Sequence, residues 1–207
     1  MHIPDGYLSL PVTVACGVLS VGGLCTAIRS LRGKIEDAKV PTMGVISAFI
    51  FAAQMVNFPI GFGVSGHILG GLLAAIVVGP EAAVLVMSIV LIFQALLFGD
   101  GGLTALGANM LNMALVGTWC VFFIFKSLRQ LLRSEGIAIG IAAWLSVVLA
   151  SSACAIELWL SGSAPLMVAF PLIVGIHAVI GIGEALATSA AVMFVRRVRP
   201  QILSTGD

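Results

Sequence analysis

Seven long apolar segments constrain the fold of this chain more than any other feature of its sequence. Short breakers separate them, among them Gly79-Pro80 and Gly99-Asp100-Gly101-Gly102. Hydrophobic residues make up 60% of the 207 residues and charged residues only 9%, which is more apolar surface than a soluble core can hide. The sequence therefore predicts an all-α membrane protein, folded as one polytopic transmembrane domain over residues 1–207. The predicted transmembrane segments are 8–31, 41–57, 66–79, 81–98, 106–132, 137–160 and 166–195.

The cations predict how these segments are oriented. All ten Lys and Arg residues lie near the C-terminal end of the first, fifth or seventh segment or after it, and they are Arg29, Arg32, Lys34, Lys39, Lys126, Arg129, Arg133, Arg196, Arg197 and Arg199. With seven crossings these three places share one side of the membrane, and an excess of cations marks the cytoplasmic side. We therefore expect the N-terminus outside and the C-terminus in the cytoplasm. Because no Lys or Arg precedes the first apolar segment, a cleavable signal peptide is not predicted.

The third segment is too short to cross a bilayer. Its fourteen residues span about 21 Å as a helix, whereas the hydrocarbon core is about 30 Å thick. Non-helical backbone at that depth must be buried in protein or line a wet cavity, because lipid cannot satisfy its amides. We therefore expect the loop at residues 57–66 to dip inward and line a pocket.

The first two residues bring three nitrogen donors together. The Met1 α-amine, the His2 amide nitrogen and the His2 imidazole can reach one metal ion through small chelate rings. His67 is the second histidine that the predicted topology places at the outer end. Ser65 is a natural N-cap for the third segment, which would put the His67 ring in a first helical turn, where a protonated imidazole is disfavoured. Either histidine alone fits a surface tip or a helix end, but together they form a candidate metal site.

The type of donor predicts the type of metal. Four nitrogens in or near a plane suit Ni(II) or Cu(II), and they suit Mg²⁺, Ca²⁺ or tetrahedral Zn²⁺ poorly. Because an amide must lose its proton, binding should release protons and weaken at low pH. Ser65, Gln94, Asp100 and Asn109 are candidates for orienting these donors. Hydrogen bonding between helices is the competing explanation for the same polar groups.

Two other ionisable residues lie within the last apolar segment. His177 and Glu184 are seven residues apart on one helical face, and such groups inside a membrane are often functional. They could form a proton relay, which would make the chain a stand-alone proton-coupled metal carrier, or a buried contact that ties helices together. No P-loop, H-E-x-x-H or G-x-S-x-G motif is present, so the sequence gives no support to an enzyme, and the chain cannot hydrolyse ATP by itself.

Four stretches resemble the CbiM/NikM family, the substrate-capture membrane subunits of energy-coupling-factor transporters for cobalt and nickel. They are Met1-His2-Ile3-Pro4-Asp5-Gly6-Tyr7-Leu8, Ser65-Gly66-His67-Ile68-Leu69-Gly70-Gly71, Gln94-Ala95-Leu96-Leu97-Phe98-Gly99-Asp100-Gly101-Gly102 and Leu106-Gly107-Ala108-Asn109. The resemblance covers nearly the whole chain and favours a nickel-type member. It implies seven transmembrane helices, one of them an extra N-terminal helix, in the cell membrane of a prokaryote. It also implies that the metal binds to the Met1 amine, the His2 amide and ring, and the His67 ring.

The same resemblance implies partners. They are a coupling transmembrane subunit, two cytoplasmic ATPases and a small accessory membrane subunit, which we expect to be a separate polypeptide. Gly44, Ala48 and Ala52 form a face of small residues on the second segment that lets another helix approach closely. The resemblance places docking on the coupling subunit at this face. No permanent cofactor is expected, since Ni²⁺, or less readily Co²⁺, is the cargo.

Overall fold

The chain folds into packed helices and one small hairpin in a computed structural model that describes residues 1–33 and 39–203. The helices are α1 (Leu10–Leu31), α2 (Lys39–Gln54), α3 (Gly71–Val78), α4 (Pro80–Phe93), α5 (Leu106–Met110), α6 (Val121–Leu131), α7 (Glu135–Leu160) and α8 (Leu166–Val198). A π-helical stretch, Gln94–Phe98, continues α4, and a second one, Leu111–Cys120, joins α5 to α6. A 3-10 turn at Pro200–Ile202 follows α8. The antiparallel hairpin consists of β1 (Phe58–Gly61) and β2 (Val64–Gly66). Lys34, one of the ten cations, lies outside the described residues, as do the last four positions of the predicted domain.

Each of the seven predicted segments contains a helix, but the helices differ in their ability to cross a membrane. Five are long and apolar enough to do so, and they are Leu10–Leu31, Pro80–Phe98, Leu106–Leu131, Glu135–Leu160 and Leu166–Val198. The helix α2 has 16 residues and α3 has eight. The helical membrane fold is therefore as predicted, whereas seven crossings and the orientation of the termini stay predictions.

The helix of the third segment begins later than the sequence predicts. Ser65 is not an N-cap, because it lies in β2 opposite Pro59, and α3 begins only at Gly71. The chain stays non-helical through Gly70, which has a φ of +75°, a conformation that glycine adopts without steric cost. The amides of residues 69 and 70 are bound by a side chain from α8 rather than by helix carbonyls. All eight residues of α3 are buried, as is most of the backbone before it.

Close contact between α1 and α5 places the N-terminal residues over the candidate site. A Cβ atom at Gly107 would lie 2.6 Å from the Cα atom of Gly17, so a larger residue at 107 would force the two helices apart. The Ser20 hydroxyl donates to the Gly107 carbonyl at 2.6 Å in the same contact. Residues 1–9 therefore enter the bundle above the loop that joins the Gln94–Phe98 stretch to α5.

Candidate metal centre

The N-terminal tip, which we define as residues 1–7, folds into the protein. Met1 and Ile3 are fully buried and His2 is 3% exposed. Asn109 holds the tip with two hydrogen bonds, because its Oδ1 accepts from the Ile3 amide at 2.8 Å and its Nδ2 donates to the Ile3 carbonyl at 3.1 Å. The Gly102 amide donates to that carbonyl at 2.9 Å. The tip is thus fixed through its backbone, which leaves the side chain of His2 free for another role.

A second anchor, which the sequence analysis missed, lies where the tip turns at Asp5 and Gly6. The Asp5 carboxylate accepts from the Thr104 amide at 2.7 Å and from the Thr104 hydroxyl at 2.5 Å. These bonds lower the pKa of Asp5. Gly102 packs so closely that a Cβ atom there would lie 2.3 Å from the Asp5 amide nitrogen. The Asp-Gly pair and the run of glycines near residue 100 were the signals available for this contact.

The tip brings the donors of residues 1 and 2 to His67. The Met1 amine nitrogen lies 2.8 Å from His67 Nε2 and also donates to the Ser65 carbonyl. The His2 and His67 rings stack with centroids 4.6 Å apart and an interplanar angle of 28°. Two nitrogens bound at right angles to one metal ion, each about 2 Å from it, are about 2.8 Å apart. The amine and His67 are thus within hydrogen-bond distance, and the same separation matches that of neighbouring ligands in a square plane.

Contacts of the opposite ring nitrogens favour a lone pair on His67 Nε2 and on His2 Nδ1. His67 Nδ1 lies 2.8 Å from the Ile68 carbonyl, so Nδ1 carries the proton and Nε2 is free to bind metal. His2 Nε2 lies 3.1 Å from Gln94 Oε1, which favours a proton on Nε2 and a lone pair on Nδ1, the nitrogen that faces Ser65 and Asp100. Nδ1 is also the ring nitrogen that closes a six-membered chelate with the amide nitrogen of its own residue. Both tautomers thus suit a metal ion.

Burial keeps the three titratable donors neutral. It lowers the pKa of the Met1 amine from 8.0 to about 5, the pKa of His2 from 6.5 to about 3, and the pKa of His67 well below 6.5. The charge of the amine lowers both histidine pKa values further. The predicted contribution of a helix terminus next to His67 is wrong, because α3 begins only at Gly71; burial is the main cause of the lowered pKa. All three groups are therefore uncharged near pH 7, so each has a lone pair that can bind a metal ion.

The four predicted supporting residues all lie at this site. Asp100 Oδ1 is 3.3 Å from His2 Nδ1, and the Ser65 hydroxyl is 3.4 Å from the same nitrogen. Asn57 Nδ2 donates to Asp100 Oδ2 at 2.8 Å. Burial raises the pKa of Asp100, against the lowering effects of the N-terminal amine and of Asn57. The Gln94 and Asn109 amides contact the tip, so bonding between helices does not account for them.

The other sequence-predicted residues make different contacts, although His177 lies close enough to the Ser65 backbone and to the N-terminal amine to interact with them. His177 is fully buried, with its Nδ1 at 2.8 Å from the Ile173 carbonyl, while Glu184 binds the backbone before α3. Gly44, Ala48 and Ala52 are exposed along α2, and Ala48 lines an apolar cavity of about 350 Å³. In the described ranges 1–33 and 39–203, no three His, Cys, Asp or Glu side chains lie together as metal ligands. The candidate centre instead combines two imidazoles with main-chain nitrogens.

Comparison with known proteins gives a consistent result. Residues 2–202 match the CbiM family, described as the cobalt uptake substrate-specific transmembrane region. A putative fused nickel transport protein NikMN of Archaeoglobus fulgidus is 40% identical over 98% of this chain and 68% of its own length. A cobalt transport protein CbiM of Kyrpidia tusciae is 31% identical over 99% of this chain and 86% of its own length.

A solved structure carries the comparison to the fold. The crystal structure of a transition metal transporter superposes with a TM-score of 0.90 and 35% identity, over 96% of this chain and 93% of that one. The predicted resemblance to the CbiM/NikM family is thereby confirmed over nearly the full sequence. This chain belongs to the CbiM family of transmembrane proteins for transition metal uptake.

Proposed function

We propose that this chain is the substrate-binding subunit of an ATP-driven energy-coupling-factor importer. It captures Ni²⁺, and less readily Co²⁺, at the extracytoplasmic face of the cell membrane. The single observation that carries the proposal is the 2.8 Å distance between the Met1 amine and His67 Nε2. The proposed donors are the Met1 amine, the His2 amide nitrogen, His2 Nδ1 and His67 Nε2. Three of them belong to one short peptide, so little ordering entropy is lost when the metal binds.

The nitrogen donors favour nickel over cobalt. Four nitrogens in one plane suit nickel(II), and at a given site nickel also binds more tightly than cobalt in the usual order of divalent metals. A deprotonated amide reduces the charge of a bound divalent ion from +2 to +1. Asp100, 3.3 Å from His2 Nδ1, would balance that remaining charge. Gln94 would hold the His2 ring in the required tautomer.

The two ends of α8 support the proposed orientation, with seven crossings, the N-terminus outside and the C-terminus in the cytoplasm. The helix has 33 residues, which gives it a length of about 50 Å. Near its start, the Ser163 hydroxyl donates to the carbonyl of Tyr7, in the tip. Near its end, Arg196 meets Arg129 and Arg133 around a cavity of about 570 Å³. The metal donors and the cation cluster thus lie toward opposite ends of one helix, and cations mark the cytoplasmic side.

The proposed partners are a coupling transmembrane subunit, two cytoplasmic ATPases and a small accessory membrane subunit. The name of the Archaeoglobus fulgidus relative describes a fusion, NikMN, which supports assembly with a second component. We propose that the coupling subunit docks on Gly44, Ala48 and Ala52, which are exposed on α2. Ala48→Leu would abolish copurification with that subunit, whereas Val45→Leu, which changes a neighbouring exposed position, would preserve it. Copurification of Ala48→Leu at the normal yield would contradict this docking face.

The competing function is a stand-alone proton-coupled carrier that uses His177 and Glu184. Seven helical residues separate their Cα atoms by about 10 Å. His177 contacts the Ile173 carbonyl, while Glu184 accepts from the amides of residues 69 and 70 and from Thr188. A direct proton relay between them therefore has no support in these contacts. Nickel uptake that persists without the ATPases, and that His177→Ala abolishes, would favour the carrier.

Metal titration of the purified full-length chain, followed by elemental analysis, tests the proposed function. We expect one nickel per chain with the absorption spectrum of a planar four-nitrogen site. His67→Ala should retain weaker binding through three nitrogens, with a changed spectrum. Nickel uptake by cells that express the partner subunits should require both the ATPases and an intact His2. A wild-type protein that binds no nickel would overturn the proposal.

A further inference from the structure

Glu184 is a carboxylate in the middle of a membrane helix, far from water. It lies 18 residues after the first residue of α8, which is about 27 Å along the helix, and it is 1% exposed. Within the parts of the chain that the structure describes, it forms no ion pair. An ionisable group at such a position is costly and is usually retained for a function. The hydrogen bonds of Glu184 indicate what that function is.

The two carboxylate oxygens bind two consecutive backbone amides. Glu184 Oε2 accepts from the Leu69 amide at 2.9 Å, and Oε1 accepts from the Gly70 amide at 2.8 Å. Thr188, one turn further along α8, contacts Oε1 at 3.4 Å. These amides precede α3, so they have no helical carbonyl to bind. The carboxylate therefore replaces the missing acceptors and holds this part of the backbone against α8.

The same peptide is held from the opposite side. Gln54, the last residue of α2, is fully buried and donates from Nε2 to the Leu69 carbonyl at 2.7 Å. Leu69 is thus bound through its amide by α8 and through its carbonyl by α2. Only one residue, Ile68, separates it from His67. The His67 ring is in turn bonded through Nδ1 to the carbonyl of Ile68, so the ring follows the backbone that Glu184 and Gln54 hold.

We propose that Glu184 is the positioning residue for the fourth nickel donor. This inference rests on the proposed function. Three donors belong to residues 1 and 2 and hold their relative positions through covalent bonds, but His67 reaches them from a separate part of the chain. Glu184 fixes the backbone at residues 69 and 70, and so keeps His67 Nε2 beside the Met1 amine. Glu184 itself touches neither the metal nor its ligands.

Nickel titration of purified full-length variants tests this role. Glu184→Leu removes both acceptors, and we expect nickel affinity to fall by about 10- to 100-fold, the range typical of residues that orient metal ligands. Glu184→Gln retains one acceptor oxygen and should lose less. The absorption spectrum of nickel-loaded Glu184→Leu should shift toward that of His67→Ala. Thr188→Val, which removes only the 3.4 Å contact to Glu184, is the matched control and should bind nickel within about twofold of wild type.

A double-mutant cycle separates positioning from a general loss of stability. If Glu184 acts through His67, Glu184→Leu should cause no further loss of affinity in a His67→Ala background. If Glu184→Leu fails to fold, Glu184→Gln and Gln54→Leu are used in the same cycle. Losses that add in that background, or unchanged affinity of the single variants, would overturn the inference. Absence of nickel binding by wild type would instead overturn the proposed function, so the two failures are distinguishable.

Discussion

Asn109 offers a quantitative test of whether the docked tip forms the metal site. Its side chain makes two hydrogen bonds to Ile3, and Asn109→Ala would remove both. The Ile3 carbonyl would still accept from the Gly102 amide, so its lost bond costs about 1 kcal/mol. The Ile3 amide would be left buried without a partner, which costs about 1–3 kcal/mol. The docked tip should therefore lose about 2–4 kcal/mol.

We expect docking to be stabilised only by a small difference between large opposing terms. Ordering the seven residues of the tip costs about 7–14 kcal/mol in backbone entropy, which burial of Met1 and Ile3 and the hydrogen bonds must offset. We expect the metal-free tip of Asn109→Ala to undock. Nickel must then drive docking, so affinity should fall by about 30-fold to several hundredfold, at about 1.4 kcal/mol per factor of ten. Nickel titration measures the affinity, and hydrogen exchange at the Ile3 amide measures docking.

Asn112 provides the matched control. It is fully buried and lies three residues after Asn109 in the continuous helical segment 106–131. Its Nδ2 donates to Glu157 Oε2 at 2.7 Å rather than to the tip. Asn112→Ala should lower thermal stability and leave nickel affinity near that of wild type. The reasoning would be refuted if Asn109→Ala exposed the Ile3 amide yet bound nickel normally, or if Asn112→Ala weakened nickel binding equally.

Three further predictions concern protons and close packing. At pH 7 nickel binding to the protein should release about one proton, from the His2 amide, whereas binding to a free Met-His-Ile peptide, with unshifted amine and imidazole pKa values, should release about two. Calorimetry in two buffers measures the number of protons released, and equal numbers for protein and peptide would contradict this prediction. Between pH 8.0 and about 5, the Met1 amine binds fewer protons in the docked tip than in an exposed tip. Docking of the tip should therefore strengthen as pH rises through that window and weaken as pH falls. Hydrogen exchange at the Ile3 amide measures this change. Gly102→Ala would place a Cβ atom 2.3 Å from the Asp5 nitrogen and should undock the tip. Gly175→Ala, in open space, should have no effect on nickel affinity, and equal effects would argue against the packing at Gly102.

The sequence predicts the membrane fold well because apolar length and breakers are local signals. The helical rod at 106–131 and α8 follow their predicted segments within a few residues. The start of the third helix is predicted wrongly. An apolar run does not reveal that the amide of residue 69 is bound by a carboxylate 115 positions further along the chain. A serine before an apolar run predicts an N-cap, but that long-range contact delays the helix to Gly71.

The candidate donors were predictable for a similar reason, since Met1 and His2 are adjacent and their chelate is local. Asn109 was among the predicted supporting residues, but the contacts of Thr104 and Gly102 with the tip were not predictable, because they form only in the folded chain. The role of Glu184 was also missed. Helical periodicity relates it to His177 on the same face, whereas its hydrogen bonds go to a loop from another part of the chain.

The proposed centre differs from an ordinary pair of histidines in its use of the free N-terminal amine as a metal donor. The most direct test is nickel titration of the protein with a Gly-Ser-Gly-Ser extension before Met1, repeated after a protease has removed the extension to expose Met1. The extension converts the amine into an amide and leaves every side chain in place. We predict that the extended protein loses nickel binding at concentrations that saturate the cleaved protein with one ion. Equal binding before and after cleavage would contradict the proposed centre.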